Sequence, residues 1–400
     1  MTHLDAIRRA LREFGLDGWL LFDFRGSNML ARRVLGLEGK PMGSRRFFYF
    51  IPADDAVRPT KLVHPIEPSA LDHLEGTKRI YERWSALETH LKETLAGVSK
   101  VAMEYAPGLS NPYVSRVDAG TVEAVRALGV EVVSSGDLIQ LFEATWDDEQ
   151  WAMHRQAESH TTAAFDLAFG AISQALAEGR TITEGQVQTL ILDHFNACGM
   201  TTYSPPIVGV NAHSADPHFE NTPETDQPIR PGDFVLIDLW AKLKKPRAVY
   251  SDLTRVGFAG SSVPPKIAEV FDVVARARDQ AVAKVREALA EGRPLMGSEV
   301  DDAARNVIEQ AGYGRYFIHR TGHNIGQETH GNGANIDNLE THDQRRILPR
   351  TCFSIEPGIY LPGEFGVRSE INVYIDADGR TVHVTGGPVQ TEVLQLMTTR

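Results

Sequence analysis

The sequence predicts an α+β chain in two parts: an N-terminal α/β domain over residues 1–146, then a pseudo-two-fold duplicated domain over residues 147–400. Three observations predict this. Short apolar runs alternate with helix-like stretches as far as "ATWDDEQ" at 144–150. The string "ALAEGR" stands at 175–180 and again at 288–293. Finally, strand-like sequence carries single acids fourteen residues apart, first Asp238 and Asp252, then Glu356 and Glu370.

Residues 4–14 read as a helix, because Leu4, Ile7, Leu11 and Phe14 recur at helical spacing. The apolar runs "WLLF" at 19, "RFFYFI" at 46, "TKLVH" at 60, "KVAME" at 100 and "VEVVS" at 130 read as strands, and "LETHLKETL" at 87 reads as a helix between two of them. A long helix follows "ATWDDEQ", with acids at 147–149 near its start, where the helix dipole favours them. In the second part, the 113-residue offset of the repeated string also matches Val187 with Val300 and Gly199 with Gly312. Each copy reads as a long helix, a glycine stop, a connector, a second helix and another glycine. Two copies of this length suit a duplicated half-domain better than a solenoid. After the first copy come "FVLIDLWA" and "VYSDLTRVGF"; after the second come "CFSIEPGIY" and "GVRSEINVYI". They read as two hairpins.

Composition excludes several classes. A formal net charge of −12 argues against a nucleic-acid binder. No apolar run approaches bilayer length, and "MTHLDAIRRALREFG" lacks an apolar signal core, so the expectation is a cytoplasmic protein without a membrane partner. Cys198 and Cys352 are the only cysteines, too few for a disulfide framework or a cysteine zinc motif.

A carboxylate between apolar strand neighbours costs several kcal/mol unless it is paired or metal-bound (roughly). Four together need matching positive charge, and Arg255 and Arg368 are the only basic residues in those strands. A salt-bridge network is therefore the weaker reading, and two divalent cations the stronger. Hard oxygen donors with one imidazole suit manganese or cobalt and accept zinc or iron. The stretch "FIHRTGHNIGQETH" at 317–330 supplies histidines, of which His323 lies between glycines that permit close backbone approach.

"VLIDLWA", "YSDLTR", "TGHNIG", "SIEPGIY" and "VRSE", in that order, resemble the metal-site segments of the prolidase and aminopeptidase P family. The resemblance covers about residues 150–395. It implies the pita-bread fold shared with methionine aminopeptidase and creatinase, preceded by a creatinase-like N-terminal domain. It further implies Asp238, Asp252, His323, Glu356 and Glu370 as ligands of two divalent ions, manganese first, with cobalt or zinc as alternatives. Asp252 and Glu370 would bridge, Asp238 would complete one shell, and His323 with Glu356 the other. His218 and His330 match outer catalytic histidines, with Glu356 as proton shuttle. His319, Tyr360 and Arg368 match substrate-side and supporting positions, and His213 is expected to be a loop residue. This chain departs from the family's common pattern at Trp240, Asn324, Gln327, Gly331 and Ile371.

The implied reaction is hydrolysis of an Xaa-Pro bond by a water bridging the two ions. Short proline-containing peptides are the expected partners and a homodimer the expected assembly. Xaa-Pro dipeptidase, aminopeptidase P on longer peptides, and a non-catalytic peptide-binding module all stay open. "SRRFFYF" at 44–50 reads as a solvated edge beside a buried strand, or as Arg45 or Arg46 lining a pocket across a dimer interface.

Overall fold

The computed structural model describes residues 3–397. The chain divides into two compact units, one ending at Glu143 and the other beginning at Ala144, three residues before the expected boundary. Among the described residues, no helix is long and apolar enough to cross a membrane.

The first unit runs α1 (His3–Glu13), β1 (Gly18–Asp23), α2 (Met29–Val34), β2 (Phe47–Pro52), β3 (Thr60–Val63), β4 (Thr77–Ile80), α3 (Trp84–Thr94), β5 (Lys100–Met103), α4 (Ala119–Ala127), β6 (Glu131–Ser134) and α5 (Gly136–Glu143). Its mixed sheet has the order β4-β3-β2-β1-β5-β6. The pleat sends Trp19 and Leu21 of β1 to one face, packed with Ile7, Leu11, Ala31 and Ile139, and Leu20 and Phe22 to the other, packed with Leu87, Leu91 and Val125. A sheet covered on both faces explains why its strands read as unbroken apolar runs. The strand β4, "TKRI", was not legible because three of its four residues are exposed. Ser44, Arg45 and Arg46 are exposed just before the fully buried β2.

The second unit opens with α6 (Asp148–Ala177), capped by Asp147, and α7 (Glu184–Ala197). Then come β7 (Met200–Thr201), β8 (Ile207–Val210), β9 (Phe234–Leu243) and β10 (Ser251–Phe258). The second half follows: α8 (Pro265–Glu291), α9 (Gly297–Gln310), β11 (Asn324–Ile325), β12 (Cys352–Ile355), β13 (Gly358–Leu361), β14 (Phe365–Arg368), β15 (Ile371–Ile375), β16 (Val382–Thr385) and β17 (Leu394–Gln395). Helices α7 and α9 start and stop 113 residues apart. Each buries the same three positions, Val187, Ile191 and Phe195 against Val300, Ala304 and Ile308. Each half also has its own apolar core, one built on α6 and α7 and one on α8 and α9.

The two expected hairpins come out differently. The first is one antiparallel pair, β9 with β10, in unbroken register. The second is split: β12 pairs with β15 and β13 with β14, leaving Glu356–Pro357 and Ser369–Glu370 at the breaks. Pro357 has no N–H to continue a ladder. The Glu370 N–H leaves its own hairpin and donates to the Thr254 carbonyl on β10 at 3.3 Å. The same junction is tied by Asn372, whose amide accepts from the Asp252 N–H at 3.1 Å and donates to its carbonyl at 2.5 Å.

Candidate metal centre

Strand alternation places Asp238 on the face of β9 that turns away from the first-half core, whose own positions are Val235, Ile237, Leu239 and Ala241. Asp252 and Thr254 share the corresponding face of β10, and Thr254 stands directly opposite Asp238. Arg255, one place on, points the other way; it donates to the Gly386 carbonyl and lies over the Phe165 ring. Of the two arginines available for charge balance, only Arg368 reaches the acids.

His323 is carried by a loop lying against β12. Its N–H donates to Ser354 Oγ at 3.0 Å, and its carbonyl accepts from the Ser354 N–H at 2.9 Å. A Cβ on Gly322 would meet the Ser354 carbonyl at 2.0 Å, so only glycine allows this approach. Gly326, on the other side of His323, has open space, so the flanking glycines do not play matching parts. The His323 Nδ1 sits 3.3 Å from the Asn324 carbonyl, which can only accept, so Nδ1 holds the proton. Nε2 then faces Asp252 Oδ2 at 3.5 Å and Glu356 Oε1 at 3.2 Å. A nitrogen lone pair facing carboxylate oxygens is repulsive unless a proton or cation lies between them.

Asp252, His323 and Glu370 are all buried and bring one donor atom each to within 4.8 Å of one another. Burial first, then the charge of Asp252, pushes the Glu370 carboxyl well above its ordinary range, and burial followed by Asp238 does the same to Asp252. Burial also raises Asp238, against the pull of Arg368. Glu356 departs from this pattern: burial raises it, but with a proton between it and His323 Nε2 the hydrogen bond and charge of that imidazolium outweigh burial and hold it below the ordinary value. Glu370 Oε1 is buried with no hydrogen-bond partner among the described residues. One guanidinium cannot balance four carboxylates, and an orphaned buried carboxylate oxygen is what a cation ligand looks like before coordination. The donor set therefore fits divalent metal, and Asp238, Asp252, His323, Glu356 and Glu370 are the residues able to hold it.

Residues 152–377 match the family described as Metallopeptidase family M24. The chain belongs to that family. It is 31% identical over 253 residues to "Probable dipeptidase PepE" of Mycobacterium tuberculosis, covering 63% of this chain and 62% of that protein. It is 32% identical over 214 residues to "Xaa-Pro dipeptidase" of Pyrococcus furiosus, covering 54% of this chain and 56% of that protein. The chain thus spans less than two thirds of the length of these curated relatives. Among solved structures, dipeptidase PepE from Mycobacterium ulcerans superposes with a TM-score of 0.63 at 23% identity, covering 99% of this chain and 97% of that one. X-prolyl aminopeptidase from Caenorhabditis elegans, described as a cytosolic enzyme with a di-nuclear active site, gives 0.61 at 16% identity, over 97% of this chain and 62% of that one. At such identities the structural likeness establishes the fold, the pita-bread architecture the motifs implied.

Around Asp238, Asp252, His323, Glu356 and Glu370 the remaining residues singled out in the sequence fall into two groups. Arg368 donates to Asp238 through Nη2, to Thr254 Oγ1 through Nε at 2.9 Å and to Tyr360 Oη at 3.1 Å. Tyr360 Oη lies 2.8 Å from His319 Nε2, while His319 Nδ1 faces the Arg320 carbonyl at 2.6 Å. Burial pushes the Tyr360 phenol up to about 12 and lowers the His319 imidazole, so both stay neutral near pH 7. His218 and His330 form the exposed group. The His330 ring packs against His323 at 4.2 Å between centroids, and the charges of His323 and, more weakly, His218 act on it. His330 also lines a cavity of ≈ 440 Å³ with Tyr203, Lys242, Tyr250, Gln327 and Thr329. His213 is not a plain loop residue: it sits in a 3₁₀ turn and binds the buried Glu184 at 2.9 Å.

Three participants were not singled out in the sequence. Thr254 Oγ1 reaches Glu370 Oε2 at 2.7 Å and Asp238 Oδ1 at 3.1 Å, with one proton to give. Ser354 Oγ donates to Glu356 Oε1 at 3.0 Å, and Asn372 clasps the Asp252 backbone. Thr254 and Asn372 each stand two residues from an acid on a strand-like run, which is the signal that could have found them. Two of the departures explain each other. The Asn324 side chain accepts from the Gly333 N–H and donates to the Cys352 carbonyl, and a Cβ at Gly331 would come within 2.3 Å of its oxygen. The larger residue at 324 therefore requires the smaller one at 331. Trp240 is buried among Ile325, Cys352 and Tyr374. Ile371 lies in the second-half core.

Proposed function

We propose that this chain is a dinuclear metallopeptidase that hydrolyses Xaa-Pro bonds, with Xaa-Pro dipeptides as its preferred substrates. The observation that carries the reading is the clustering of Asp252, Glu356 and Glu370 around His323, joined to Asp238 through Thr254, with Arg368 the one guanidinium and Glu370 Oε1 without a hydrogen-bond partner among the described residues. Divalent ions bound there, manganese first and cobalt or zinc as alternatives, would supply Lewis acidity and acidify a water near neutral pH. The Xaa-Pro preference is supported by the names of the relatives.

The chain's own residues divide the remaining work. Glu356 stays ionised beside His323, so it can take a proton from water and pass it to the prolyl nitrogen. That nitrogen must be protonated to leave, and in proline it carries no hydrogen of its own. His330 and His218, at the exposed edge, hydrogen-bond the substrate carbonyl and the oxyanion that replaces it. The His319–Tyr360–Arg368 chain holds Arg368 against Asp238 and orients the acids. The cavity beside His330 receives the side chain of the N-terminal residue.

The test is hydrolysis of an Xaa-Pro dipeptide and an Xaa-Pro-Yaa tripeptide, side by side, with added manganese. Faster cleavage of the dipeptide is expected. A clear tripeptide preference would move the reading to an aminopeptidase acting on longer peptides. Failure to cleave either, with metal shown to be bound, would leave a binding module.

A further inference from the structure

We propose that His160, His194 and Cys198 form a second cation site, apart from the carboxylate cluster, which takes one borderline divalent ion, zinc first, and clips α6 to α7. His194 and Cys198 are four residues apart at the end of α7 and so share one face of the helix. His160 comes from α6, and its carbonyl lies 3.1 Å from His194 Nε2. With Nε2–H on that carbonyl, Nδ1 keeps its lone pair. Cys198 Sγ is 4.0 Å from His194 Nδ1 and 3.7 Å from Nε2. Tetrahedral zinc with ordinary Zn–N and Zn–S bonds holds nitrogen and sulfur about 3.6 Å apart. One donor atom from each of the three residues already lies within 4.8 Å of the other two. All three residues are half-buried, so an ion can enter and a fourth ligand can come from solvent.

The duplication supplies a control within the molecule. At the 113-residue offset, His160, His194 and Cys198 correspond to Val273, Val307 and Ala311. Those three simply pack with the second-half core. The helix pair therefore needs no polar group at these places, and the first half carries three metal donors where apolar residues suffice. Two nitrogens and a thiolate select zinc-like ions over the harder ions suited to the carboxylate cluster.

Cobalt(II) is the probe, because a thiolate ligand gives it an intense charge-transfer absorption that oxygen and imidazole ligands do not. The full chain, first saturated with manganese, would be titrated with cobalt. The expected result is a thiolate-to-cobalt band saturating at one equivalent, bleached by zinc, absent in Cys198→Ser and weakened at least tenfold in affinity in His194→Val. A triple variant copying the second half, His160→Val with His194→Val and Cys198→Ala, should fold, keep its peptide hydrolysis and lose the further rise in melting temperature that one equivalent of zinc gives the manganese-saturated parent. No band at one added equivalent, or a band that survives Cys198→Ser, overturns the proposal. Neither outcome bears on peptide hydrolysis, so this inference and the proposed function fail separately.

Discussion

In the first half of the second unit, Asp238 and Asp252 stand inside unbroken strands, and the pleat sets the face they point to, with Thr254 and Arg368 bonded to Asp238 once it is there. In the second half, Glu356 and Glu370 stand where the strands break, and each is aimed by neighbours: Ser354 for Glu356, Thr254 and Arg368 for the Glu370 end of the cluster. The residue types follow from this. A short Asp suits a position that the sheet already points inward, while a longer Glu reaches in from a backbone that has left the ladder. The helices behind the two halves keep the same spacing, whereas the acids they support are held by different means. Shared ancestry of sequence fixes the scaffold more tightly than it fixes how a ligand is held.

The largest effects should come from the second half. Glu356→Gln keeps size and one carbonyl oxygen but cannot shuttle a proton. Its turnover should fall about 10²–10⁴-fold and stay low across a manganese titration that restores occupancy. Near-normal turnover at full occupancy would reduce Glu356 to a ligand. His323→Ala should cost at least about 100-fold in kcat/KM, and more at limiting metal. His213→Ala, which touches Glu184 rather than the cluster, should mainly lower stability, by about 1 kcal/mol. Equal activity losses in the two folded variants would overturn that distinction.

A second prediction sets one half against the other by pH. His154, in α6, is fully buried between the Tyr250 carbonyl and Thr385, and burial pushes its imidazole down to about 4. Its counterpart at the 113-residue offset is Ile267. Below the ordinary histidine value the unfolded chain takes up a proton that the folded chain refuses. Stability from this group is thus complete above about pH 6.5 and falls by about 3 kcal/mol as pH drops to about 4. Denaturant unfolding of His154→Gln should show a flatter acid limb, and an unchanged limb would remove His154 as its source.

Smaller still is Thr254→Val, which removes the hydroxyl shared by Asp238, Glu370 and Arg368. Metal affinity should drop about 10–100-fold with little change in fold. Competition with a chelator would measure it, and an unaltered affinity would mean that the second-half acid is placed by its backbone alone. Smallest should be Pro357→Ala, which restores an N–H at the break. A loss of about 1 kcal/mol is expected, through the unfolded chain, with the Glu356 contacts retained.

The same contrast decides how much the sequence could tell. Asp238 and Asp252 were legible because an acid in an alternating apolar run has only one way to point. The helix pairs were legible because Val187 with Val300 and Gly199 with Gly312 mark buried turns and helix ends. The breaks at Glu356 and Glu370 were not, since "SIEPGIY" and "VRSEINVYI" read as continuous strands, whereas the Glu356 N–H goes to the Thr321 carbonyl and the Glu370 N–H to Thr254 on β10, more than a hundred residues away. Thr254, Ser354 and Asn372 carry no special signature; a hydroxyl or amide becomes part of a site only when the fold brings acids to it. Gly331 departs from the family's common pattern for a reason the sequence does not show: the Asn324 side chain needs its space.

The bonds that the Asn372 side chain makes with the Asp252 backbone, and the one from the Glu370 N–H to the Thr254 carbonyl, have a bearing on how this chain can change over generations. Each half sets the reading frame of the other. Losing or gaining one residue within β10, or between Glu370 and Asn372, would turn an acid to the opposite face of the sheet and misalign its partner in the other half at the same step. Substitutions along these segments can be absorbed one at a time, but length changes cannot. Drift in length is therefore confined to the connecting loops, such as the one from Lys244 to Tyr250 that joins β9 to β10.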